Sequence, residues 1–204
     1  MVLSQEKAKR VDPSLSGVVS TANTPALIPG IQVDQGWVRN SAGFYFSNWY
    51  GFGGVDASAS VLAAKNYSNY LPTQRTFSQA SNYTSQIQIA EGNFQPLPMQ
   101  VSATGSVEEV LLFLNISNTP FRNQLACMQV WVVSPSGTKS VLLHAGTGLQ
   151  NPTVVRARIL SNAFYGESLN GTWTLNIGNV CVAGSGAAVL SPSQPQQTLL
   201  FTYH

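Results

Sequence analysis

Apolar and polar residues alternate over most of the second half of the chain, the pattern that half-buried β-strands require. Met128, Val130 and Val132 alternate with Gln129, Trp131 and Val133, so that one face is wholly apolar. Runs of this kind predict strands over 85–90, 98–103, 107–116, 125–133, 139–144, 153–160, 171–177 and 197–203. The clearest turn between them is Ser134-Pro135-Ser136-Gly137, with proline pre-setting φ at the second position and glycine free at the fourth. Several strands with turns and no intervening helix argue for an antiparallel sandwich or jelly roll.

The first third of the chain follows another pattern. Residues 1–12 read as the end of a charged amphipathic helix, stopped by Asp12-Pro13. A loop rich in Ser, Thr, Gly and Pro runs to about Gln35. Residues 36–54 then gather seven aromatics, from Trp37 to Phe52, among glycines. Val55–Asn66 gives the best helix: Asp56 is placed to cap it, and Val55, Ala59, Leu62 and Ala63 share one face. Residues 71–84 read as polar linker. The chain therefore divides into a mixed piece, 1–70, a linker, 71–84, and a mostly β domain, 85–204.

Composition narrows the function. Charged residues make up 9% of the chain, against roughly 25% in an average soluble domain. Ten scattered cations and a net charge of +2 form no basic patch, so nucleic acid is excluded as a partner. No apolar run approaches the ~18 residues of a membrane-spanning helix. Five of the 18 charges lie within Glu6–Asp12, and none lies between Ser168 and His204. The first ten residues lack the apolar stretch of a secretory signal. If the protein acts outside a cell, the expectation is that a longer precursor supplies one.

Two separated blocks of sequence bear a resemblance to a known family. The first runs from Gly36-Trp37-Val38-Arg39-Asn40-Ser41-Ala42-Gly43 to Tyr50-Gly51-Phe52-Gly53-Gly54-Val55-Asp56-Ala57. The second comprises Ser134-Pro135-Ser136-Gly137-Thr138, Ala163-Phe164-Tyr165-Gly166-Glu167 and Asn170-Gly171-Thr172-Trp173-Thr174-Leu175. Together they resemble the subtilisin/kexin-type (proprotein convertase-type) serine endopeptidases that carry a P domain, also called Homo B, and most of all the secreted bacterial members. The resemblance implies that 1–70 is the C-terminal end of an α/β subtilisin-like catalytic domain. It implies that 85–204 is the P domain, a jelly-roll-like sandwich that docks on the catalytic domain and stabilises it. Read as residues alone, most of these motifs are turns and core.

Catalytic residues are scarce. A serine protease of this type needs Asp, His and Ser with an oxyanion donor, and the family's D-[ST]-G, H-G-T and G-T-S-x-A-x-P signatures do not occur in the sequence. An order Asp56, His144, Ser191 exists, but Asp56 sits at a helix start and His144 at a strand end beside a turn. The expectation is that the chain is not catalytic on its own and needs no cofactor. Calcium demands six to eight oxygens; Glu167, beside the Asn170-Gly171 turn, is a weak candidate ligand for one Ca²⁺. Cys127 and Cys181 stand where the family pattern has other residues. Two such departures in a chain with no other cysteine, with secreted relatives, suggest a compensating disulfide. The competing reading is a free-standing secreted binding module for carbohydrate or a cell-surface ligand. It would need a row of exposed aromatics, whereas Trp131 and Trp173 are expected in the core.

Overall fold

The computed structural model describes residues 7–20, 27–66, 73–118, 127–145, 154–181, 187–192 and 195–204. Two antiparallel sheets face each other. The smaller holds β7 (Phe94–Val101), β9 (Met128–Val133), β10 (Lys139–Leu143) and β12 (Gly171–Asn179), in the order β10-β9-β12-β7. The larger holds β5 (Arg75–Ala80), β6 (Ile87–Ile89), β8 (Val107–Asn118), β11 (Val154–Ser161), β13 (Ala188–Leu190) and β14 (Thr198–Tyr203). Its twelve-residue β8 pairs with β14 and β13 as well as with β11. The chain is thus mostly β and sandwich-like, as the alternation predicts.

The core forms where the inner faces meet. Trp173 lies opposite Met99, and Leu175 lies between Leu97 and Val132. On the facing sheet Phe201 pairs with Val110 and Leu199 with Leu112. All of these are buried. Trp173 is fully enclosed, with Phe164 and Phe201 at centroid distances of 5.0 and 4.9 Å, and its indole N–H donates to the Leu169 carbonyl at 2.8 Å. A buried indole needs such an acceptor, because an unpaired polar group in the core costs about 1–3 kcal/mol.

Four expectations change. Residues 7–12 hold no helix: Lys9 exchanges backbone hydrogen bonds with Gly54 at 2.9 and 2.8 Å, and residues 1–6 lie outside the described residues. The stretch read as linker contains β5, which pairs along its whole length with β14. Phe77 is its one large apolar residue, so the alternation was too weak to show a strand. β7 starts four residues earlier than expected and contains Pro96 and Pro98, which an edge strand tolerates because its outer N–H groups have no ladder partner. Trp131 is not in the core. It lies half-buried on the outer face of the smaller sheet, edge-on to Phe94 and beneath the Lys139 ammonium.

The segment ahead of the sandwich has two short hairpins, β1 (Val18–Val19) with β2 (Gln32–Asp34) and β3 (Val38–Arg39) with β4 (Tyr45–Phe46), and one helix, α1 (Ala57–Lys65). Asp56 caps α1, accepting from the Ala59 N–H at 2.9 Å, and Lys65 stands in its last turn. None of the residues of α1 is buried.

Candidate docking junction

The β3–β4 hairpin meets the sandwich through one buried amide and one buried carboxylate. Asn40 begins the loop between the strands. Its Nδ2 donates to the carbonyls of Ala163 at 3.0 Å and Tyr165 at 2.8 Å, and its Oδ1 accepts from the Phe44 N–H at 2.9 Å. Both donors of the amide are used on the sandwich while its acceptor shapes the hairpin loop. An aspartate there would set a carboxylate against two carbonyls.

Glu167 completes the contact from the other side. It is buried, and its Oε1 accepts from the Ser41 N–H at 2.9 Å and from the Thr138 hydroxyl. Hydrogen bonds to charged groups contribute about 1.5–3 kcal/mol each. The other oxygen, Oε2, has no hydrogen-bond partner among the described residues. What surrounds Oε1 is donors, as suits a carboxylate held in place. Glu167 does not belong to a group of three or more His, Cys, Asp or Glu among the described residues.

Aromatic edges extend the contact. Tyr165 lies edge-on to Phe44 at 5.2 Å and to Phe52 at 5.6 Å, and Phe52 in turn meets Phe46 at 5.5 Å. The neighbouring Gly166 has φ +81°, and a Cβ there would come within 3.0 Å of Ala42 and Phe44. Glycine is required both for the backbone conformation and for the closeness of the hairpin. Behind the junction, Gly171 packs on Pro135, where a Cβ would approach to 2.7 Å. The three sandwich motifs, 134–138, 163–167 and 170–175, thus touch one another, and Phe164 carries the contact on to Trp173.

Side-chain amides fasten the rest of the segment. Gln35 accepts from the Val141 N–H at 2.8 Å and donates to the Lys139 carbonyl, and Asn48 donates to the Val141 carbonyl at 2.9 Å. These amides occupy the outer edge of β10, an edge strand whose free backbone groups would otherwise invite pairing with another chain. Further back, the Ile28 N–H donates to the Val180 carbonyl at 2.9 Å. Adjacent to it, Cys127 and Cys181 are joined by a disulfide, their Cα atoms 5.2 Å apart.

The other face of the same segment is uncovered. Trp49, Val55 and Leu62 are 71%, 69% and 60% exposed, and Tyr50 and Val61 are exposed as well. Of the helical face expected from Val55, Ala59, Leu62 and Ala63, Val55 lies ahead of the cap Asp56 and outside α1, Leu62 is exposed, and Ala59 and Ala63 are half-buried. Asp56 is engaged by the Lys9 ammonium at 2.7 Å, which with the Ala59 N–H holds its carboxyl below the usual carboxylate range. His144 Nε2 lies 3.1 Å from Asn48 Nδ2. Asp56 and His144 therefore serve different local structures. Asn40, Thr138 and Glu167 lie within sequence motifs that carry no sign that the three meet. Gln35 carried no signal at all, because its role rests on a contact 106 residues away.

An antiparallel sandwich holding a preceding hairpin through its edge loops is the class of protein defined here. Residues 107–190 match the family model of the proprotein convertase P-domain, and the chain belongs with the P domains of subtilisin/kexin-like serine proteases. It is 30% identical over 210 residues to an extracellular serine protease of Aeromonas sobria, covering 95% of this chain and 33% of that protein. It is 33% identical over 149 residues to human proprotein convertase subtilisin/kexin type 6, covering 69% of this chain and 15% of that protein. The crystal structure of the Aeromonas sobria serine protease in complex with a chaperone matches at a TM-score of 0.78 and 26% identity, over 100% of this chain and 39% of that one. The chain thus spans about a third of the length of the Aeromonas sobria protease.

Proposed function

We propose that this chain is the non-catalytic C-terminal portion of a secreted subtilisin/kexin-like serine endopeptidase, whose sandwich docks on the catalytic domain and stabilises it. In this reading residues 1–70 are the last part of the catalytic domain. The P domain starts at β5, since that strand pairs with β14, so the linker shortens to the residues between α1 and Arg75. One observation carries the proposal. The segment of residues 7–66 is fastened to the sandwich on one side by Asn40 and Glu167, while its opposite side presents large hydrophobic residues to solvent. A segment of that kind is half of a larger packed unit. The likeness to the Aeromonas protease over the whole chain supports the same arrangement, and the disulfide suits an oxidising, extracellular setting.

Two measurements test it. The isolated chain should bind an apolar-surface dye and self-associate in light scattering, and Leu62→Glu with Val61→Glu should reduce both. A dye-silent monomer would overturn the docking face. The chain should also hydrolyse no peptide substrate, and hydrolysis blocked by a serine-directed inhibitor would overturn the non-catalytic reading. For the binding-module alternative, the aromatic pair on the outer face of the smaller sheet, Phe94 and Trp131, meets at 72°, edge to face, rather than as one flat stack.

A further inference from the structure

The outer face of the larger sheet carries a cavity of about 260 Å³, lined by Phe113, Leu114, Asn115, Ala157 and Pro195 with Arg156 and Arg158 at its rim. We propose that it binds the free carboxyl terminus of a peptide chain whose last side chain is apolar. Three kinds of group converge there. Arg156 lies directly opposite Asn115 in the strand register and Arg158 directly opposite Phe113, so both guanidinium groups belong to the same face. Both arginines are exposed, and neither has a carboxylate partner among the described residues. Arg158 is stacked 5.2 Å above the Phe113 ring, which orients its fork before any ligand arrives.

The second group is a buried acceptor. Asn115 is 7% exposed, and its Oδ1 has no hydrogen-bond partner among the described residues. Its orientation is set, because Nδ2 donates to the Pro195 carbonyl at 2.9 Å. The backbone beneath it is equally fixed: the Gln197 side chain accepts from the Asn115 N–H and donates to its carbonyl, both at 2.6 Å. A buried acceptor left unpaired costs free energy that a ligand donor recovers. The third group is the apolar wall of Phe113 and Pro195.

A carboxylate for the arginines, an N–H for Asn115 and an apolar side chain for the cavity share a single Cα at the end of a peptide. A fatty acid supplies the first and third but leaves Asn115 Oδ1 unpaired. A polyanion supplies only the first. The two guanidinium groups serve the carboxylate as charge-assisted donors, the geometry in which arginine outperforms lysine.

The test is fluorescence anisotropy of the oxidised chain with a fluorescein-labelled tetrapeptide ending in leucine. The free-acid probe should bind, the same peptide as its C-terminal amide should bind about tenfold more weakly or worse, and Arg156→Gln and Arg158→Gln should each weaken the acid about tenfold. Asn115→Leu, with folding checked by circular dichroism, should weaken the acid while improving competition by octanoate. Equal binding of acid and amide, or arginine variants that leave binding unchanged, overturns the proposal. So does wild-type competition by octanoate or heparin as strong as that by the unlabelled peptide, and so does the absence of binding at about 1 mM probe.

Discussion

The two regions of this molecule hold themselves together by opposite means. From Tyr83 onward hydrophobic burial does the work: a continuous core runs through both sheets, with Trp173, Phe164 and Phe201 at its centre. Ahead of Tyr83, Ile31 is the one hydrophobic residue among those described that is buried, while large apolar residues such as Trp49, Val55 and Leu62 face solvent. That first region keeps its place through polar contacts at Asn40, Glu167 and Gln35, and through the edges of a few aromatic rings. Burial stabilises in proportion to area and tolerates repacking. A polar clamp depends on each partner, and losing one leaves the other unpaired. Mutations should therefore separate the regions cleanly.

The largest effect belongs to the sandwich. Trp173→Ala removes the central side chain and leaves a cavity, at a cost of about 3–5 kcal/mol. Chemical denaturation should show both regions unfolding together at lower denaturant, because the hairpin has nothing to dock on once the sandwich fails. A variant in which the sandwich unfolds while residues 36–54 keep their hydrogen-exchange protection would break the comparison. Next comes the disulfide. Its loop spans 54 residues, for which the chain-entropy model gives roughly 4 kcal/mol. Cys127→Ala with Cys181→Ala should lower the melting temperature without changing the near-ultraviolet signature of Trp173. Two free thiols titrated in unfolded, unreduced protein would remove the bridge from the account.

A third pair of variants addresses the junction alone. Asn40→Asp is isosteric but turns a carboxylate toward the Ala163 and Tyr165 carbonyls, and should cost about 1–3 kcal/mol of docking. Glu167→Gln should cost less, because its amide oxygen can still accept from Ser41. In both, exchange protection should fall in residues 36–54 while the amides of β8 and β12 stay protected. Equal loss in β8 and β12 would mean that the junction and the core are one cooperative unit.

How much of this was readable in the sequence follows the same division. Strands β8, β9, β12 and β14 alternate strongly because one face of each enters the core, and their places were visible. β5 was not: with Phe77 alone contributing an inner contact, its strand character comes from pairing with β14, which local pattern does not report. Trp131 misled for a related reason. The alternation gave its face correctly, opposite to Met128, Val130 and Val132, but its size suggested core, and Phe94 and Lys139 shelter it outside. At the junction, the motifs around Asn40, Thr138 and Glu167 read as turns in the sequence. That they share one contact depends on sequence separations of 29 to 126 residues, which only the folded chain closes.

The smallest expected effect lies at the start of α1 and tests whether the uncovered region depends on charge at all. The Asp56 carboxyl is drawn below its ordinary value chiefly by the Lys9 ammonium, with the Ala59 N–H adding to it, and Lys9 is raised in turn by Asp56. A lowered carboxyl stabilises the fold above its unfolded value and loses that contribution as the pH falls through the folded one. A raised ammonium contributes below its unfolded value and loses it as the pH rises through its own folded value. The link between residue 9 and α1 should therefore hold across neutral pH and weaken at both extremes, by a small amount because both groups meet solvent. Nuclear magnetic resonance shifts of Ala57–Lys65 should show the first turn fraying in acid. Asp56→Asn should keep the cap at neutral pH and abolish that acid response, since asparagine accepts from Ala59 without titrating. An acid response that survives in Asp56→Asn would place the sensitive group elsewhere, and the polar fastening of this region would then not extend to its helix.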